Sequence, residues 1–183
     1  MPQIHVRRFL PVDLPALLAL EHSYNTEFVW QMEVQEGDQE IGVIFRERKL
    51  PRIVRHTYHR DYRRVLEGWK ENWGVLVAVL GDSPQNAPVG YAAFQHGSEP
   101  HIALVKDLAV STPYRKQGIG TALMLSAEDW ALEHGCRRLL IELPSKNVPA
   151  IRLAKKIGFD FCGFSDQHYA NKDIALLFGK SLV

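Results

Sequence analysis

Leu108-Ala-Val-Ser-Thr-Pro-Tyr-Arg-Lys-Gln-Gly-Ile-Gly-Thr-Ala-Leu-Met-Leu125 runs from an apolar strand through a basic turn with two glycines into a helix. A turn that feeds a helix leaves the first amide N–H groups of that helix without backbone partners, and the aligned peptide dipoles favour an anion there. Gly118 and Gly120 let the main chain approach a ligand that a β-carbon would hold off. Arg115 and Lys116 add positive charge at the same mouth, and an arginine can fork onto two phosphate oxygens. The stretch reads as a cradle for a diphosphate. Behind it, Ile119, Ala122, Leu123, Ser126, Ala127 and Trp130 share one helix face, and Gly135 supplies the stop.

Alone, an Arg-x-x-Gly-x-Gly turn also suits an ordinary loop that needs two glycines for its geometry. The downstream context narrows this. Asn147-Val-Pro-Ala-Ile-Arg-Leu-Ala-Lys-Lys-Ile-Gly-Phe159 reads as a second helix, with Asn147 as N-cap, Pro149 in its first turn and Gly158 at its end. Between the two helices, Arg138 to Leu143 reads as a strand. A strand, helix, strand connection of this length implies a parallel, right-handed crossover.

This pair of segments resembles the GNAT superfamily of acyl-CoA-dependent N-acetyltransferases. Its hallmark is Arg/Gln-x-x-Gly-x-Gly/Ala, then a strand, then Asn-x-x-Ala-x-x-Leu-Tyr-x-x-x-Gly-Phe. Arg115, Gly118 and Gly120, then Asn147, Ala150, Leu153, Gly158 and Phe159, stand at the family spacing, while the family tyrosine falls on Ala154. The resemblance covers Val75 to Val183 well and the first seventy-odd residues only in layout. The closing segment Tyr169 to Phe178 is similar to the tail of streptothricin acetyltransferases.

The resemblance implies an α/β fold of the α+β kind, a central twisted mixed sheet with helices on both faces. It implies acetyl-CoA as co-substrate, its diphosphate held by Arg115, Lys116, Gln117, Gly118, Ile119, Gly120 and Thr121. The strands ending at Val110 and Leu143 are expected to splay, so that the backbone of Leu108, Ala109 and Val110 pairs with the pantetheine arm, near Asn147, Ala150 and Leu153. Glu142 takes the place of the general base of the similar ribosomal-protein N-terminal acetyltransferases, and Asp107 is a second candidate. Each has a bland alternative: Glu142 as an edge-facing polar residue, Asp107 as a structural hydrogen-bonding carboxylate. In many family members the tyrosine protonates the departing thiolate. Its absence here implies a slower or water-assisted reaction, or a donor arm placed differently, with Tyr169 either a substitute or a packing residue.

The rest of the chain fits one domain over residues 1–183, with residues 1–74 on the acceptor side and 75–183 as the acetyl-CoA core. A chain of 183 residues that is 46% hydrophobic can bury one substantial core. Ile4 to Phe9 reads as a strand, Leu14 to about Tyr24 as a helix capped at Asp13, and Phe28 to Glu36 with Ile41 to Phe45 as a long hairpin. Phe28 and Trp30 alternate along it and are candidates for an acceptor pocket with Tyr58, Trp69 and Trp73, or else fill the core beneath it. Asp61 to Trp73 reads as a short helix. The basic run Arg46 to Arg64 suits a nucleic-acid or acidic partner, or a solvated edge whose charges block pairing.

A net charge of +1 gives no bulk attraction to nucleic acid or an anionic membrane. No apolar run is long enough to span a bilayer, no signal peptide is apparent, and Cys136 and Cys162 have no metal-like spacing. The reading is a cytoplasmic N-acetyltransferase without a metal, moving acetyl from acetyl-CoA to a primary amine of a small molecule. A protein N-terminus as acceptor, an acyl-CoA-binding sensor or interaction module with little catalysis, and a homodimer remain open.

Overall fold

The computed structural model describes residues 3–57, 73–81, 86–96, 99 and 101–182. β1 (Ile4–Arg8) leads into a 3-10 turn and a short helix α1 (Leu14–Leu18), then β2 (Tyr24–Glu36) and β3 (Ile41–His56). β4 (Trp73–Leu80), β5 (Pro88–His96) and β6 (Ile102–Val110) precede α2 (Ile119–Glu133), β7 (Arg138–Pro144), α3 (Val148–Lys156), β8 (Asp160–Ser165) and β9 (Ala175–Ser181). Seven strands form one mixed sheet in the order β1-β4-β5-β6-β7-β9-β8, and β2 pairs with β3 as a separate two-stranded ribbon. The β6–β7 pair is parallel and every other described pair is antiparallel, as a single helical crossover through α2 requires.

Two apolar layers cover the sheet. On one face, Leu123, Met124, Ala127 and Ala131 of α2 and Ile151 and Ala154 of α3 meet Phe94, Val105, Leu139 and Ile141. On the other, Leu17 of α1 closes over Val75, Val77, Tyr91, Ala93 and Ala109. Leu17 is fully enclosed, a burial worth about 1.5–3 kcal/mol. Helices on both faces of a mixed sheet agree with the expected fold.

The caps also fall where the residue types place them. Asn147 accepts the Ala150 N–H at 3.3 Å, and α2 ends at Gly135 with φ +75°, where the Cys136 N–H reaches the Ala131 carbonyl at 2.8 Å.

The acceptor-side half departs from expectation. The helix expected to about Tyr24 stops at Leu18, because Tyr24 to Thr26 pair with Val54 to His56 and open the ribbon. The hairpin is correspondingly longer, and Arg46 to His56 are strand residues within it. Arg46 and Arg48 pair with Glu33, Arg55 with Glu21, and Arg152 with Glu47, so part of the basic run is spent on neighbouring carboxylates. The helix expected from Asp61, with Tyr58 and Trp69, lies outside the described residues.

Candidate active site

The β6–β7 ladder begins at Ile102 opposite Arg138 and stops after Val105 opposite Ile141. Beyond that point Asp107 to Val110 remain on β5, and Glu142 to Pro144 remain on β9. Each strand keeps its outer neighbour while the inner edges part. A cleft open to solvent occupies the gap. It is lined by Val105 to Leu108, Ile141 to Pro144, Asn147 and Ala150, together with Tyr24, Thr57 and Tyr169.

A bulge sets the register of this wall. Ala93 stands opposite Asp107 and Phe94 opposite Val105, which leaves Lys106 as the extra residue. The bulge reverses the faces of β6. Ala103 and Val105 belong to the layer under α2 and α3, whereas Ala109 belongs to the layer under α1. Asp107 follows Ala109 and is only 4% exposed. It accepts a hydrogen bond from the Tyr91 hydroxyl, which lies 2.9 Å from His22 Nε2, and His22 Nδ1 lies 2.8 Å from the Leu20 carbonyl. Burial holds the His22 imidazole below its ordinary pKa, with the Asp107 carboxylate acting in the opposite direction.

Glu142 sits on the opposite wall. The Tyr169 hydroxyl donates to its Oε1 at 3.1 Å, and His168 Nε2 lies 3.2 Å from the same oxygen. Asp107 and Glu142 therefore face one cleft with different surroundings. His168 carried no sequence signal, because its contact with Glu142 depends on the turn before β9.

Tyr24, which the sequence offered only as the end of a helix, opens β2 and is among the residues that line the cleft. Its oxygen is buried and has no hydrogen-bond partner among the described residues. Burial, and then the Asp173 carboxylate, hold its phenol well above the usual tyrosine pKa. A buried hydroxyl left unpaired costs about 1–3 kcal/mol.

The turn after β6 departs from the expected grip in its details. Gly118 has φ +89° at the start of α2, Lys116 has φ +61°, and no side chain caps the helix. Left-handed residues in a turn aim successive amides into one concavity suited to an anion. Ile119 is 1% exposed and anchors the helix in the core, so only its backbone faces the turn. Gln117 Nε2 donates back to the Pro113 carbonyl at 3.1 Å. Gly120 also serves packing: a β-carbon there would stand 3.1 Å from Leu153 Cδ2 on α3.

Arg115 is placed differently from the phosphate fork. Its Nε donates to the Val110 carbonyl at 2.8 Å, Nη1 to Ser23 at 2.7 Å and Nη2 to Glu21 at 2.8 Å. All three guanidinium nitrogens bind main-chain oxygens and tie the end of β6 to the segment that delivers Tyr24.

Phe28 and Trp30 do not line the cleft. They pack on α3, with the Arg152 guanidinium 4.7 Å from the Phe28 ring centre and the Lys155 ammonium 4.1 Å from that of Trp30. The main-chain N–H of Trp30 donates to the Ser145 carbonyl at 3.0 Å, which docks the ribbon against the end of β7. Ala154, at the family tyrosine position, is 2% exposed within the core and offers no polar atom to the cleft. Among the described residues, no group of three or more His, Cys, Asp or Glu side chains could hold a metal ion.

Comparison with known proteins agrees with this geometry. Residues 20–159 match the acetyltransferase (GNAT) family. The streptothricin acetyltransferase of Streptomyces lavendulae is 28% identical over 159 residues, covering 87% of this chain and 82% of that protein. The crystal structure of nourseothricin acetyltransferase superposes with a TM-score of 0.80 at 23% identity, covering 98% and 99% of the two chains. A streptothricin acetyltransferase structure from Bacillus anthracis, solved in complex with acetyl coenzyme A, superposes with a TM-score of 0.77 at 20% identity over 98% and 99%. A parted parallel strand pair leading into an uncapped helix start, on a chain that matches this family over most of its length, identifies the protein as an acetyl-CoA-dependent N-acetyltransferase of the GNAT family.

Proposed function

We propose that the acceptor is a primary amine on a small, cationic, streptothricin-like molecule, and that Glu142 removes its proton. The observation that carries the assignment is the placement of Glu142 on the wall of the cleft where β6 and β7 part. The similarity to the streptothricin enzyme of Streptomyces lavendulae supports the acceptor class.

The residues present fit acetyl-CoA. The amides of Gln117 to Thr121 would hold its diphosphate, and the inner edge of Leu108 to Val110 would pair with its extended arm, beside Asn147 and Ala150. When bound it supplies the acetyl thioester. Amines with ordinary pKa values near 8 to 10 are mostly protonated at neutral pH, so one proton must leave before or during attack. Glu142 accepts it, and Tyr169 and His168 fix the orientation of the carboxylate. Asp107, engaged by Tyr91, organises the opposite wall. Cys136 and Cys162 are free thiols, which suits a reducing cytoplasm.

The test is transfer from acetyl-CoA to a panel containing streptothricin, other small polyamines and a peptide with a free N-terminus. Streptothricin should be the preferred acceptor, and Glu142→Gln should lower kcat by roughly 10²- to 10⁴-fold with CoA affinity unchanged. Preference for the peptide would overturn the acceptor assignment, and near-normal turnover in Glu142→Gln would overturn the assignment of the base.

A further inference from the structure

We infer that Asp173 is a positioning residue for Glu142: through its pairing with Lys146 it stakes the turn that holds this carboxylate to the loop between β7 and α3. The inference rests on Glu142 being the base, as proposed above, and deepens that reading.

Two contacts of Glu142 come from one turn. The Tyr169 hydroxyl and His168 Nε2 meet its Oε1 at 3.1 and 3.2 Å, so whatever orients the turn orients the carboxylate. The turn closes on Asp173. The main-chain N–H groups of His168 and Tyr169 both donate to the Asp173 carbonyl, at 3.1 and 3.3 Å, and the Lys172 N–H donates to the Tyr169 carbonyl at 2.7 Å. Lys172 has φ +63°, and the Asp173 N–H donates to Asn171 Oδ1 at 3.2 Å. These bonds knit the turn to itself.

Attachment to the sheet is a separate matter. The β7–β9 ladder ends at Pro144 opposite Ala175, and one more main-chain bond joins the Ser145 N–H to the Ile174 carbonyl at 2.9 Å. At the next residue the Asp173 side chain takes over, its Oδ1 accepting from the Lys146 ammonium. Lys146 immediately precedes Asn147, the cap of α3.

Stability alone does not account for the pair. Asp173 is 5% exposed, and its Oδ2 is buried with no hydrogen-bond partner among the described residues. Apolar residues of similar volume are often at least as stabilising as a buried ion pair, and an unfilled acceptor weakens the pair further. What the pair adds is direction. The segment Tyr169 to Phe178 thereby gains a physical role: Tyr169 touches the base, and Asp173 holds Tyr169 in place.

The experiment places Lys146→Met and Asp173→Asn in the wild-type and Glu142→Gln backgrounds and measures transfer from acetyl-CoA to the best amine of the panel above. In the wild-type background each should lower kcat roughly ten- to a hundredfold, the effect of a small misplacement of a reacting group, with both KM values within about threefold. In the Glu142→Gln background neither should lower kcat further by more than about twofold, because a residue acting only through the carboxylate has nothing left to position. Melting temperatures should stay within about 4 °C of wild type, since a pair whose lysine is 38% exposed adds little stability. Lys146→Arg, which keeps the charge pairing, should retain turnover within about threefold.

Full turnover in both single variants, a loss that repeats in the Glu142→Gln background, a loss carried by KM, a Lys146→Arg variant as slow as Lys146→Met, or turnover that tracks a drop in melting temperature would each overturn the positioning role. Near-normal turnover in Glu142→Gln alone would instead overturn the base, so the two failures are distinguishable.

Discussion

Replacing Arg115 by methionine separates two tasks that the sequence merges. The side chain makes three hydrogen bonds of 2.7–2.8 Å to main-chain carbonyls, two of them partly buried and one exposed. A hydrogen bond to a charged group contributes about 1.5–3 kcal/mol when shielded and much less when water can replace it. Two shielded bonds at the lower figure give a loss of about 3 kcal/mol. For a domain of this size each kcal/mol shifts the melting temperature by roughly 2–4 °C, so Arg115→Met should melt roughly 6–12 °C lower.

Coenzyme A affinity, measured calorimetrically at physiological salt, should change by less than about threefold, because a solvated charge beside the cradle is largely screened. Turnover should fall, because the end of β6 is no longer tied to the segment that leads into β2. A phosphate-gripping arginine predicts the reverse: an affinity loss of about ten- to a hundredfold with the melting temperature unmoved. That second pattern would refute the strut.

Three further outcomes follow. Gly118→Val forces a β-branched side chain into φ +89°, at a cost of about 1–2 kcal/mol; the chain should stay folded by circular dichroism while CoA affinity falls more than about tenfold. Gly120→Ala should instead act on packing against Leu153, costing about 1 kcal/mol with a smaller change in affinity. Burial depresses the His22 pKa, so the unfolded chain takes up a proton there that the folded protein resists. Its contribution is complete above the ordinary histidine pKa of about 6.5 and is lost as the pH falls below it. Urea unfolding at pH 7.5, 6.5 and 5.5 should show a steeper acid loss for wild type than for His22→Gln, and parallel curves would exclude this source.

The sequence discloses the core half of the molecule because its signals are local. Asn147 as cap, Gly135 and Gly158 as stops and the apolar face of α2 each act within a few residues of themselves, and each appears in place. The parallel crossover through α2 follows from connection length alone. The acceptor half is less legible because its strands are chosen by partners far away in the chain: Tyr24 is a strand residue because His56 lies opposite it. The bulge at Lys106 is equally hidden, since a two-residue alternation cannot show where one residue is skipped. Phe28 and Trp30 alternate as pocket residues would, yet α3 covers them, and Arg115 has the right charge in the right turn but is engaged by carbonyls from over ninety residues upstream.

The four-residue seam between β6 and β7 bears on how long the protein survives in its host. The sheet consists of two leaves, β1-β4-β5-β6 and β7-β9-β8, joined directly by few backbone bonds. A linear guest laid along the gap would thread both leaves together, and its binding energy would add to the resistance of the whole sheet to unfolding. Persistence of the enzyme should therefore track the supply of the acyl carrier, with starved cells clearing it sooner than well-fed ones.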